Sequence, residues 1–427
     1  MHAICLAAIL LSADPPRFET DVLPLFTKAG CNSGACHGAA SGRGGLKLSL
    51  FAGNPAGDYD AIVRELEGRR INRAKPSDSL FIAKPTGMMD HEGGVRFDFD
   101  GPEAKLLAAW VAAGSPRATS GLLRGLSLTP REILATTVPF QTQVTVSAHL
   151  DDGTSRDVTA SSVFTAEDET AITISSTGKV TVLRPGRHTV IVRYLSQVLP
   201  LTITARTAET RVDFNSTARN NWIDDEILSA LADLGVMPSP QAGEAALLRR
   251  LSLSLTGRLP SPSEVKNYLA DNASDKYERL VDRLLSTEAF VDFWTWRLAR
   301  QLRVRTRPND ERGTQAFHRW IREQIRIGRP LDEMAKEMLV ASGDSWEFGP
   351  ANFHRSAPEA RAEAEYLSEV LLGFRLRCAN CHNHPLDRWT QDDYHGLAAI
   401  FARLDRGRTV RLTGSGEVIH PATGEFA

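Results

Sequence analysis

Charge of one sign is what this sequence most lacks. Fifty lysines and arginines face 52 aspartates and glutamates, a formal net charge of −2. The basic excess that phosphate binding needs is therefore missing, and nucleic acid is excluded as the main partner. Arginines gather only locally, at Arg297, Arg300, Arg303, Arg305 and Arg307, a pattern that reads as a solvated helix face with ion pairs. Long apolar runs are missing too. No stretch reaches the roughly 18 uninterrupted apolar residues of a membrane-spanning helix. Cysteine is scarce, with five in 427 residues, and a disulfide framework would scatter its cysteines to close long loops. No nucleophile elbow, phosphate loop or Ser-His-Asp arrangement can be picked out, which leaves an extracytoplasmic hydrolase with little support.

What is present is the composition of a soluble globular protein, 42% hydrophobic and 24% charged, in a chain too long for one ordinary core. Residues 1–13, from Met1 to Ala13, form an apolar run ending in small residues and read as a signal peptide, although no Lys or Arg precedes the run. Cys5 would leave with it. Residues 14–118 carry short helical patterns around glycine-rich loops such as Gly42-Arg43-Gly44-Gly45. They close in an amphipathic helix from Pro102 through Trp110, with Gly114 as its stop.

Residues 122–206 change to period two. Gln143 to Leu150 alternates, Ala171 to Ile174, Lys179 to Leu183 and His188 to Val192 follow, and Asp152-Gly153 and Pro185-Gly186 make turns. This predicts a small antiparallel β-sandwich. Residues 212–405 return to the helical period. Ser261-Pro262-Ser263-Glu264 is a capping box, and Tyr277, Leu280, Val281, Leu284 and Leu285 form a core stripe. Residues 406–427 are polar and glycine-rich and read as the start of a following region cut at Ala427. The expected fold is multidomain: an all-α first domain, a β-sandwich and a mainly α-helical C-terminal domain.

The four remaining cysteines come in two close pairs, each followed at once by histidine. Cys378-Ala379-Asn380-Cys381-His382 is the C-x-x-C-H signature of covalent haem c attachment. Two thiols add to the vinyl groups on one porphyrin edge, and the next residue presents an imidazole to the iron. Cys31-Asn32-Ser33-Gly34-Ala35-Cys36-His37 has four residues between the thiols, a rarer spacing. A sixth ligand for this first haem should come from Met88, Met89 or His91, and His91 is favoured because the glycines after it let the backbone approach a porphyrin closely. The second cluster adds His384 and His395. His384 is too near His382 in sequence to reach the opposite face of the same haem, whereas His395 or the distant His354 could. Alternatively Cys378, Cys381, His384 and His395 could hold a structural zinc. His149, His188, His318 and His420 read as structural or solvated.

At these residues the chain resembles the large exported proteins of planctomycete-type bacteria that join a cytochrome-c-like domain, a bacterial Ig-like group 2 (BIG2) domain and a DUF1549 domain, usually followed by DUF1553. In the first domain the resemblance rests on Cys31 to His37, Gly45 to Leu50, Gly68 to Asn72, Ser79-Leu80, Lys84-Pro85-Thr86 and His91 to Gly94. In the third it rests on Leu248 to Leu253, Leu255-Thr256-Gly257 and Cys378 to Pro385, through Trp389, Asp392, Asp393 and Tyr394. The Ig-like part is the looser match. Two features depart from the pattern: Arg258-Leu259-Pro260-Ser261 stands where the family usually reads Leu-Pro-Pro-Thr, and the DUF1553 region is missing.

The resemblance implies haem binding and export to the periplasm or cell surface, and supplies no reaction. The leading functional expectation is electron transfer with one or two haem c groups, served by a redox partner protein or an attached oxidoreductase module. The rival is a surface scaffold that binds a polysaccharide or protein, with the Cys/His clusters as structural metal sites.

Overall fold

The computed structural model describes residues 15–427 apart from 39, 40, 307, 309 and 422. The expected leader, Cys5 and Arg307 lie outside the described residues. Helices and several β-sheets are both present, and the chain divides into two compact units. One comprises the chain to Pro238 together with His382–Arg388, the other Ser239–Cys381 together with Trp389–Ala427.

The first unit begins with a helical region. A turn of π-helix, Phe18–Val22, runs into α1 (Leu23–Lys28), followed by α2 (Pro55–Val63), α3 (Leu80–Ala83) and α4 (Pro102–Ala112). Proline opens α2 and α4, where its missing N–H removes no helical bond. Such short helices hold together by side-chain packing rather than by propensity. Trp110 of α4 is wholly buried, with its ring centroid 5.7 Å from Phe18, 5.6 Å from Phe81 and 6.4 Å from Tyr59. The polar tips of this cluster grip the chain just beyond α4. Trp110 Nε1 donates to the Pro116 carbonyl at 2.9 Å, and Tyr59 Oη donates to that of Ser115 at 2.9 Å. The Phe18 amide reaches the Pro116 carbonyl as well.

Ten strands follow: β1 (Leu123–Thr129), β2 (Glu132–Ala135), β3 (Phe140–Gln143), β4 (Thr145–Leu150), β5 (Ser155–Asp157), β6 (Val163–Ala166), β7 (Ile172–Ile174), β8 (Lys179–Val182), β9 (Gly186–Tyr194) and β10 (Gln197–Ala205). They form three sheets, ordered β1-β4-β5, β2-β10-β9-β6 and β3-β8-β7. Val146, Ala148, Val180, Val182, Val190, Val192, Leu201 and Ile203 turn inward to a core continuous with that of the helices, as the period-two pattern requires.

Two details were not legible in that pattern. The run from Gln143 to Leu150 is split at Val144, whose amide bonds the Gly178 carbonyl at 2.9 Å, so its halves join different sheets. β2 pairs parallel with β10, a partner more than sixty residues away in sequence. Helix α5 (Trp222–Leu234), capped by Asn221 and ended by left-handed Gly235, completes the main body of this unit.

The second unit is mostly helical: α6 (Glu244–Thr256), α7 (Pro262–Ala270), α8 (Lys276–Leu285), α9 (Glu288–Gln301), α10 (Glu311–Arg326), α11 (Leu331–Val340), α12 (Ala360–Val370) and α13 (Gln391–Ala399). The capping box at α7 is formed in both directions. Of the stripe on α8, Leu280 and Leu284 are core while Tyr277 and Leu285 are exposed, because the α6–α7–α8 cluster is small and covers only the middle of the stripe. Gly257 has φ +69°, and a Cβ there would stand 2.4 Å from the Phe293 ring, so glycine alone lets α6 end against α9. A small sheet, β11 (Gly343–Asp344), β13 (Thr409–Leu412) and β12 (Leu404–Arg406), places residues after 405 within this unit.

Two measurements check this packing. Trp110→Ala should cost about 3–5 kcal/mol by denaturant unfolding, through lost burial and a cavity in the aromatic cluster. The Asp58 carboxylate on α2 is buried, and burial pushes it up to about 6 against the opposing hydrogen bonds from Ser49. The unfolded chain releases that proton near 3.9, so the native state holds more protons between those values. Stability should therefore fall, by roughly 2–3 kcal/mol, as pH rises from about 4 to about 6. Asp58→Asn should flatten that dependence in a pH series of denaturant midpoints.

Candidate functional site

After α1 the chain turns through Gly30, at φ +76°, into a loop wound on its own backbone. The amide of Cys31 bonds the Phe26 carbonyl at 2.9 Å, Cys36 that of Ser33 at 3.0 Å, and His37 that of Cys31 at 3.0 Å. Asn32 lies beneath, fully buried, its Nδ2 donating to Thr27 Oγ1 at 2.9 Å and its carbonyl accepting from the Phe51 amide. Gly38 closes the loop, and a Cβ there would come within 2.2 Å of the Asn32 carbonyl oxygen. Cys31, Cys36 and His37 are thus held by backbone against α1. Cys31 and Cys36 are half-buried free thiols. Burial pushes the Cys31 thiol up to about 11, against a smaller downward pull from Arg96.

The His37 ring is aimed by the glycine-rich loop. Its Nδ1 lies 3.1 Å from the Arg43 carbonyl and 3.2 Å from that of Leu46. Arg43 and Leu46 bridge to each other. The buried Arg70 guanidinium steadies the loop by donating to the carbonyls of Gly45 and Ala61. Because a carbonyl only accepts, Nδ1 carries the hydrogen and the neutral ring presents its lone pair at Nε2. Burial lowers the His37 pKa, which favours that neutral form.

His91 repeats the arrangement. Its Nδ1 donates to the Gly94 carbonyl at 2.9 Å, and the ring lies so close to Gly93 that a Cβ there would stand 2.7 Å from Cε1. Backbone carbonyls thus hold Nδ1 of both rings and leave Nε2 open, as they do in histidines that bind metal ions.

The structure brings the two rings together, with centroids 6.2 Å apart and planes 11° from parallel. A metal–imidazole bond is about 2 Å, and a ring nitrogen lies about 1.1 Å from the centre of a five-membered ring with bonds near 1.33 Å. Two imidazoles on opposite sides of one metal ion would then have centroids about 6.3 Å apart. The observed 6.2 Å is close to that spacing. Met88 and Met89 are exposed, on the loop where Lys84 Nζ donates to the Asp90 carbonyl.

The second cluster is not gathered in the same way. Cys378 and Cys381 are exposed, on and just after a short 3-10 turn of the second unit. His382 and His384 belong to the segment grouped with the first unit. There Arg193 donates to the Pro385 carbonyl and stacks over Phe51. His382 Nδ1 lies 2.7 Å from the Asn383 carbonyl, which again places the lone pair on Nε2. His384 differs, because its Nδ1 accepts from the Leu386 amide at 3.3 Å. His395, fully buried on α13, points Nε2 at the Asn380 carbonyl at 3.2 Å. His354 is engaged elsewhere, its Nδ1 2.5 Å from the buried Glu363, which also pairs with Arg406. Among the described residues, no three or more His, Cys, Asp or Glu side chains stand close enough to hold a metal ion between them.

The residues that sequence reasoning missed are those that hold the two rings and their loops in place: Arg70, Asn32 and the carbonyls of Arg43, Leu46 and Gly94. Arg70 and Asn32 lie in the runs Gly68 to Asn72 and Cys31 to His37 that carry the resemblance; for the carbonyls the sequence signal was the glycine density of the loops, since carbonyl acceptors carry no residue identity.

Residues 222–406 match the family described as PSCyt2, a protein of unknown function (DUF1549). No curated protein matches the chain.

The loop geometry makes a paired prediction. Gly38→Ala should lower stability by about 1–3 kcal/mol through collision with Asn32. Gly34→Ala, whose Cβ would meet only Leu50 at 3.8 Å, should leave the thermal midpoint unchanged.

Proposed function

We propose that residues 14–118 form a cytochrome-c-like domain for one haem c, which Cys31 and Cys36 would attach and His37 and His91 would hold, and that the protein transfers electrons outside the cytoplasm. The observation that carries this reading is the pair of near-parallel imidazoles, each tethered through Nδ1 to backbone carbonyl and spaced for one iron. Bound haem supplies a one-electron iron couple.

The chain's own part is to set the ligand field and exclude water. Two histidines in place of histidine and methionine favour a lower potential. Arg70 and the Gly42–Gly45 loop keep the His37 ring from turning. Met88, Met89 and Val95, apolar and exposed in the chain around His91, are available to cover a macrocycle. Covalent haem attachment outside the cytoplasm would agree with the signal-like start, and both support a periplasmic or cell-surface location. There residues 122–206 would act as an Ig-like (BIG2) spacer, and a redox partner protein or an oxidoreductase module would exchange the electron.

At the second cluster the His382 ring, with its lone pair on Nε2, suits a second haem. The His384 ring has its Nδ1 lone pair engaged, which suits a zinc set of Cys378, Cys381, His384 and His395 less well.

Expression in a host that matures haem c, followed by a pyridine haemochrome spectrum and metal analysis, tests the proposal. At least one covalent haem per chain is expected, with one fewer in Cys31→Ala/Cys36→Ala. His91→Ala should change the visible spectrum and potential, whereas Met88→Ala and Met89→Ala should not. Zinc without covalent haem would overturn it, and a spectrum unmoved by His91→Ala would remove that residue as ligand.

A further inference from the structure

The arginines around α9 do not all form the ion-paired face expected of them. Arg303 pairs with Glu369, and nearby Arg322, Arg326 and Arg329 are each tied to carboxylates. Arg297, Arg300, Arg305 and Arg319 have no carboxylate partner among the described residues. They line two neighbouring cavities of about 650 and 540 Å³ whose described lining includes no Asp or Glu. Trp296 and Arg300 line both cavities. Trp296 is 53% exposed, a large apolar surface left open between them.

Phe293, Trp296, Arg297 and Arg300 fall at i, i+3, i+4 and i+7 on α9, so they share one helical face. The Arg300 guanidinium lies 4.9 Å from the Trp296 ring centroid, and that of Arg297 4.9 Å from Trp294 and 5.6 Å from Phe293. Aromatic faces hold the planar guanidinium groups in place while their N–H forks stay uncommitted.

We propose that this face binds an acidic polysaccharide strand. Guanidinium forks match carboxylate or sulfate groups in bidentate geometry, and the exposed indole offers a flat surface to the apolar face of a sugar ring. Two cavities joined at Trp296 and Arg300 suit an extended ligand of repeated charged rings rather than a single small anion. A nucleic acid would share the stacking and the negative charge. It would also call for successive aromatic platforms along the strand, and Trp296 is the only exposed Phe, Tyr or Trp ring in the described lining. The inference stands apart from the haem reading, because none of these residues belongs to that site.

Binding of the full chain to heparin and to polygalacturonate, measured by calorimetry with neutral dextran and a single-stranded oligonucleotide for comparison, tests the proposal. The charged glycans should bind, dextran should not, and affinity should drop as salt is raised. Arg297→Gln/Arg300→Gln and Trp296→Ala should each weaken binding at least about tenfold, with Trp296→Phe retaining most of it. Circular dichroism and thermal midpoints should stay unchanged. No binding to either charged glycan, equal binding to dextran, tighter binding of the oligonucleotide, or affinity unmoved by the substitutions would overturn the proposal. So would a concentration-dependent dimer dispersed by the same substitutions, since the face would then belong to a second copy.

Discussion

Burial of Trp110 among Phe18, Tyr59 and Phe81 joins the first helical turn of residues 15–118 to their last helix. Everything between those ends is short helix, glycine-rich loop and irregular chain, which in isolation would not hold a shape. Closing the ends fixes where α1 stops, and so where the loop carrying Cys31, Cys36 and His37 begins. The same core runs on into the three sheets, with Asp21 paired to Arg156 and Lys28 donating to the Ser162 carbonyl.

Within that frame the candidate site is built from backbone more than from side chains. His37 and His91 come from loops more than fifty residues apart in sequence, and each is turned by carbonyl oxygens that accept only. The tautomer of both rings follows from that, as does the availability of Nε2. Glycines at 38 and 93 are required by close approach, at one to a carbonyl oxygen and at the other to the His91 ring itself. A substitution in these loops can therefore disturb the site without touching a cysteine or a histidine.

The second unit shows a different balance. Its buried Glu363 carboxylate is satisfied, taking His354 on one oxygen and Arg406 on the other, a demanding arrangement because an uncompensated buried carboxylate is costly. Unspent charge sits outside, on the exposed face of α9. Residues 222–406, which match a family of unknown function, include that face.

By itself the sequence determined the positions of the cysteines and histidines, the change of period from 3.6 to 2 near residue 122 and back after 206, the capping box at Ser261 and the helix stop at Gly114. Each of these is local, readable from residue type within a turn or two of chain. Only the tertiary structure decided that the imidazoles of His37 and His91 lie 6.2 Å apart, that Val144 splits a strand between two sheets, that β2 pairs parallel with β10, and which arginines near α9 have no carboxylate partner among the described residues. Those depend on contacts between residues far apart in the chain. Backbone carbonyls, which orient both histidines, carry no mark of residue identity by which a sequence could announce them.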